Sequence, residues 1–217
     1  MVAIATIALA LQYSKRSRTP DDPPPIERII ATVSSGASES RDWRERPWPQ
    51  IASANQPLSR RGRAVRVGAL IVEFEALAAN GDSAAAKVAA QVGELLGDYP
   101  NGVTTVAAYR ALADVEAVGD SAKRADAARG AETLAGITEV RLGAWLEAAR
   151  IAAVRNDTSF FSRPDTWSTL WIARGVAGED ANTRASVTVL SAYIAEPQRD
   201  SRRISVALDA LLRALAN

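Results

Sequence analysis

From Ser59 onward, apolar residues recur every three to four positions, and clusters of Gly, Asn, Asp and Pro interrupt them at intervals that suit helices. Ser59 is placed to cap a first helix that runs to Asn80-Gly81, and Asp82/Ser83 restart a second that stops at Gly97. The turn-rich Asp98-Tyr99-Pro100-Asn101-Gly102 follows. Thr104/Thr105 cap a third helix ending at Gly119, Asp120/Ser121 a fourth to about Leu134, and Thr138 with Glu139 opens a fifth ending near Arg155-Asn156. Asp165/Thr166 cap a short sixth, Asn182 to Ala195 form a seventh that stops before Pro197, and Ser201 to Ala216 form an eighth. In that last helix Ile204, Leu208, Leu211 and Leu215 share one face, with Ser205, Asp209 and Arg213 on another. No window alternates as a strand should; Val187-Thr188-Val189 comes nearest. The pattern predicts an all-α fold of about seven to eight helices in antiparallel hairpins.

The chain before Ser59 is patterned differently. Met1 to Leu11 is apolar with only Thr6 mildly polar, and the basic run Lys15-Arg16-Ser17-Arg18 follows closely. A membrane-crossing helix needs about 20 apolar residues, so a full span is not expected. A signal peptide has Ala8-x-Ala10 in its favour but lacks a basic start. The preferred reading of residues 1–14 is a short membrane or complex anchor: Val2, Ile4, Ile7, Leu9 and Leu11 insert or dock, Tyr13 sits at the headgroups, and Lys15, Arg16 and Arg18 reach phosphate. The competing reading buries the segment in the protein's own core. Residues 15–58 are read as an extended linker or docking arm, since Pro20 and Pro23 to Pro25 oppose helix; Ile26 to Val33 has room for one or two helical turns. Trp43 and Trp48, in Arg41-Asp42-Trp43-Arg44-Glu45-Arg46-Pro47-Trp48-Pro49, need a hydrophobic seat on this domain or on a partner. Residues 59–217 form the helical domain.

Composition sharpens this by what is missing. The 217 residues include no Cys and no His. Disulfides, thiolate catalysis, Cys-ligated zinc, iron–sulfur clusters, His-ligated haem and any triad built on His are therefore excluded. No metal or other cofactor, and no catalytic residue, is expected. A carboxylate-only enzyme is the least favoured alternative. The formal net charge of +1 gives no drive toward nucleic acid.

The helix breaks Gly81-Asp82-Ser83, Gly119-Asp120-Ser121 and Asn156-Asp157-Thr158 recur at near-constant spacing. At equal distances before the first and third lie Arg66-Val67-Gly68-Ala69-Leu70-Ile71 and Arg141-Leu142-Gly143-Ala144-Trp145-Leu146. The pattern resembles tetratricopeptide-type hairpin arrays, with Leu70 and Trp145 at the family's large apolar position. It departs from them at Phe74 and Leu112, where the family carries a small residue. The resemblance implies stacked α-hairpins and, as one functional option, a membrane-anchored adaptor for a peptide or protein. In outline the chain is also similar to the extrinsic helper polypeptides of bacterial membrane assemblies, including those that brace photosynthetic reaction centre–antenna complexes.

Candidate partner-binding residues are Trp43, Arg44, Arg46 and Trp48 in the arm, and Arg60, Arg61, Arg63 and Arg66 at the start of the first long helix, where positive charge opposes the helix dipole. Anionic lipid headgroups or an acidic protein face would satisfy them; a solvated surface cluster is the bland alternative. Trp145, Trp167 and Trp171 are read as core, Gly175-Val176-Ala177-Gly178 as a turn, and Asp120, Asp126, Glu132 and Glu139 as solvated helix positions. The favoured expectation is a non-catalytic accessory subunit on an integral membrane protein complex at a bacterial inner membrane, binding no nucleic acid and no small-molecule substrate. The positive-inside tendency places the domain on the cytoplasmic side ahead of the periplasmic one. An anti-sigma or envelope-stress regulator is the further alternative.

Overall fold

The structure is a computed structural model that describes residues 22–34, 58–114 and 117–216. Among these residues there are nine α-helices and no strand. They are α1 (Ile26–Ser34), α2 (Arg60–Ala79), α3 (Ala84–Leu96), α4 (Val103–Leu112), α5 (Ser121–Ala135), α6 (Ile137–Val154), α7 (Asp165–Ala177), α8 (Ala181–Ala195) and α9 (Ser201–Ala216). Short 3-10 turns at Ala117–Gly119 and Thr158–Ser162 precede α5 and α7. The all-α fold expected from the pattern is the one observed.

The capping chemistry works as the sequence suggests at Ser59, Asp82 and Asp120, whereas Thr104/Thr105, Thr138 and Asp165/Thr166 lie inside their helices, whose N-cap residues Gly102, Gly136 and Pro164 make no side-chain cap bond. Ser59 Oγ accepts from the Gly62 amide at 2.9 Å, Asp120 Oδ1 from Lys123 at 3.0 Å, and Asp180 from the Asn182 and Thr183 amides at 3.1 Å each. The first and third breaks of the repeat are built alike. Gly81 and Asn156 both take left-handed backbone, with φ of 63° and 58°. The next amide then reaches back into the helix, Asp82 to Leu77 O at 3.0 Å and Asp157 to Ala152 O at 2.9 Å. The second break differs: Gly119 closes a 3-10 turn, and the third predicted helix already ends at Leu112.

The repeat owes its sequence to a helix crossing. α6 is the centre of the molecule, buried from Leu142 through Ala153, and its principal partner is α2. A methyl group placed on Gly68 would lie 1.8 Å from Val140 O, and one on Gly143 would lie 1.9 Å from Val65 O. Each glycine thus packs on the backbone three residues before the other. Glu73 on α2 faces Glu147 and Arg150 on α6, so the two helices run in the same direction. The matched hexapeptides are the two halves of one self-complementary contact.

Around this pair α3 packs on α2, α4 on α3, and α5 on α4 and α6. α9 packs on α6, α2 and α8, and runs opposite to α6: Ser201 Oγ donates to Asn156 Oδ1 at 2.7 Å, while Asp209 faces Arg150. α1 belongs to the core although it lies in the stretch read as linker. Ile26, Ile29 and Val33 are buried against α6 and α2, Thr138 Oγ1 donates to Asp22 at one end, and Arg155 Nη1 donates to Val33 O at 3.1 Å at the other. The prolines explain its start: Pro23 to Pro25 are not helical, and the Pro25 carbonyl accepts the first helical amides, from Arg28 at 3.0 Å and Ile29 at 3.2 Å.

Several expectations need correcting. Trp145 is buried and Trp167 packs against the core, but Trp171 is 61% exposed, because its position on α7 points away from the Leu170–Ala173 face. Glu132 is buried and gripped by Arg141 through bonds of 2.7 and 3.3 Å, so it is not a solvated position. Gly175 to Ala177 complete α7, leaving Gly178 as the left-handed stop with φ 58°. Ser205 is buried, on the side of α9 that meets the core.

Candidate functional site

The acidic and basic side chains that the sequence leaves unassigned converge between α2, α6 and α9. Glu147 and Arg150, one helical turn apart on α6, are both buried and form a two-pronged ion pair, Nε to Oε2 at 2.8 Å and Nη2 to Oε1 at 2.6 Å. Glu73 from α2 and Asp209 from α9 also face Arg150. Burial, and then the like charge of Glu147, push the Glu73 carboxyl up to about 7, although Arg150 and Arg66 pull the other way. Arg150 keeps its proton more firmly than an ordinary guanidinium: burial works against its charge, and Glu147 outweighs that. Three carboxylates on three helices thus share one central arginine. The arrangement can clamp the helices together, and Glu73 can exchange a proton near neutral pH.

A second buried pair ties α5 to α2. Arg124 Nε donates to Glu75 Oε2 at 3.0 Å, and burial raises the Glu75 carboxyl while Arg124 lowers it. Burial also raises the Tyr109 phenol well above its usual value, with Glu75 contributing. A cavity of about 10 Å³ lies between α1, Trp145, Phe160 and the start of α7, with room for about one water. Among the described residues no group of three or more acidic residues is placed to hold a metal ion, and no helix is long and apolar enough to cross a membrane.

The structure divides the arginine cluster at the start of α2. Arg63 pairs with Asp98 at 3.0 Å, and the Arg60 and Arg63 guanidiniums each lie 5.9 Å from the centre of the Tyr99 ring, whose hydroxyl donates to Arg60 O at 3.1 Å. Arg66 is half-buried within reach of Glu73, and Arg61 is exposed. Part of the basic cluster therefore serves the fold by holding the α3–α4 turn. Trp43, Arg44, Arg46 and Trp48, and the segment from Val2 to Arg18, lie outside the described residues.

The outward side of α7, α8 and α9 went unnoticed in the sequence. Trp171, Val189 and Val206 are exposed on these helices, which also carry the exposed Arg174, Arg184, Arg202 and Arg213. Helical spacing could have revealed it: Trp171 falls one position out of phase with Leu170 and Ala173, the residues that meet the core.

No family model, no curated protein and no solved structure matches this chain.

Proposed function

We propose that this protein is a non-catalytic accessory subunit that docks on an integral membrane protein complex of a bacterium and braces it. The observation that carries this reading is the apolar run Met1 to Leu11, followed closely by Lys15, Arg16 and Arg18 and joined through Pro-rich chain to a helical body. An apolar tip with a basic collar fits the boundary between hydrocarbon and anionic headgroups. Two features of the body support the reading. The acidic groups that could take part in acid–base work are engaged with arginines, Glu75 with Arg124 and Glu73 with Arg150 across helices and Glu147 with Arg150 along α6, which suits rigidity more than turnover. Trp171, moreover, presents an indole to solvent on a helix whose neighbouring residues pack well, and Trp is enriched where a polar surface meets an apolar one, membrane boundaries included.

Deletion of residues 1–14 tests the reading. The shortened chain is expected in the soluble fraction with its helical circular dichroism intact, while the full chain sediments with membranes. Loss of helical signal would make the segment core, and sedimentation of both chains would place the membrane attachment elsewhere.

A further inference from the structure

We propose that the outward faces of α7, α8 and α9 form a surface that seats against an anionic lipid bilayer. The inference rests on the membrane reading above and adds to it the side of the helical body that meets lipid.

α7, α8 and α9 follow one another in sequence and pack as neighbours; α9 and α7 rest on α6, and α8 rests on those two. Of the five large apolar side chains exposed among the described residues, three lie on these helices: Trp171 at 61%, Val189 at 43% and Val206 at 64%. Charge on the same helices is sorted. Arg174, Arg184, Arg202, Arg203 and Arg213 are exposed, whereas within the three helical spans no carboxylate is. Asp165 and Asp209 are half-buried, Asp209 facing Arg150. The exposed acids of this layer sit at its turns and are largely occupied: Asp180 accepts from the Asn182 and Thr183 amides, and Asp200 from the Arg202 and Arg203 amides. Glu196 pairs with Arg203 at 3.0 Å and Asp180 faces Arg184, while Glu179 is exposed at the turn after α7; Arg174, Arg202 and Arg213 are the other exposed arginines of the three helices. The contrast is with α5, whose exposed side carries Lys123, Asp126 and Arg129 in mixed sign.

Indole at a polar boundary, isolated valines and exposed arginines on helices that expose no carboxylate match a headgroup layer. The indole and valines enter the upper acyl region while each guanidinium grips phosphate in a forked contact. A protein partner would instead favour apolar residues gathered at one centre with a polar rim; here each of the three lies on its own helix. Each arginine near an anionic surface strengthens partitioning about fivefold.

The chain has no cysteine, so one introduced thiol carries a unique label. V189C, V206C and, as a control on α4, V103C (Val103 is 82% exposed) would each be labelled in the full chain with a polarity-sensitive fluorophore. Vesicles of phosphatidylcholine with and without phosphatidylglycerol, carrying a lipid-borne quencher, are then added. We expect the labels at 189 and 206 to shift blue and quench on phosphatidylglycerol vesicles while the label at 103 stays in water. R174Q/R202Q should weaken the phosphatidylglycerol-dependent binding at least fivefold. A bound chain whose 189 and 206 labels stay in water, or whose 103 label meets lipid, overturns the proposal and leaves the membrane reading standing. Protection of 189 and 206 only when solubilised membrane proteins are added also overturns it, in favour of an acidic protein partner. Failure of the full chain to bind either vesicle overturns both the proposal and direct lipid anchoring.

Discussion

Gly68 on α2 and Gly143 on α6 each lie against the other helix's backbone, and the contact is reciprocal: Gly68 against Val140, Gly143 against Val65. The interval from Val65 to Gly68 equals that from Val140 to Gly143, so one short motif, used twice, forms both sides of a backbone-to-backbone contact in the core. Small residues at such a crossing let two helices approach until their backbones touch, which gathers dispersion contacts that a larger side chain would block.

Alanine at either glycine is therefore expected to force the helices apart. Thermal or urea unfolding of Gly68→Ala or Gly143→Ala should show a loss on the order of 3 kcal/mol or more. Gly93→Ala is the contrasting case: its methyl would meet Tyr109 Cβ at an ordinary 3.5 Å, so replacing a helical glycine should be neutral or stabilising by about 0.5–1 kcal/mol. Equal effects at the three sites would refute the crossing.

The buried ion pair gives a second test. Arg150→Met takes the guanidinium away from buried Glu147 and should cost about 3–5 kcal/mol. Removing both charges with E147L/R150M should recover at least half of that in the same unfolding assay, because the desolvation of Glu147 is relieved. A double variant as unstable as the single one would mean that the pair is held for its hydrogen bonds to other groups.

Glu73 makes stability depend on pH. Its carboxyl titrates near 4.5 in the unfolded chain and near 7 in the folded one. Between those values the folded state binds the extra proton, so stability falls as pH rises from about 4.5 through 7 and levels off above, a change on the order of 3 kcal/mol for this group. Glu75, also raised, acts in the same direction. Melting temperatures measured from pH 5 to 8 should decline in the natural chain. In Glu73→Gln the slope should be visibly smaller, and at pH 8 the variant should be the more stable protein. An unchanged slope would remove Glu73 from the cluster.

The helices and most of their ends were legible because caps and stops are local: Ser59, Asp82, Asp120, Gly81 and Asn156 act within four residues of themselves. The hexapeptide repeat was legible as a pattern, but its meaning depends on two helices 75 residues apart in sequence meeting glycine to backbone, which no local rule states. For the same reason α1 looked like linker: nine residues between prolines and serines gain their helix from burial on α6 and not from length. Glu132 looked solvent-facing because a carboxylate is usually exposed; its partner Arg141 offsets the cost of burying it, as Arg150 does for Glu147, a residue the sequence left unassigned. Trp171 misled in the opposite sense, since a large apolar residue at roughly helical spacing is usually core.

The arm carrying Trp43 and Trp48 is expected to dock on the partner. Changing both to Ala should weaken co-sedimentation with membranes containing the complex about tenfold or more, as truncation of interfacial Trp commonly costs 2 kcal/mol or above. The melting temperature of the purified chain should not move. A drop of several degrees with unchanged association would seat both indoles on the chain's own helices.

The accessory-subunit reading is tested most directly by isolating the full chain from its native membranes in mild detergent and measuring what co-migrates through size exclusion. The account predicts one integral membrane complex at fixed stoichiometry with the chain, across preparations and at moderate salt. Elution of the chain alone, or with proteins whose proportions vary from one preparation to the next, would contradict it.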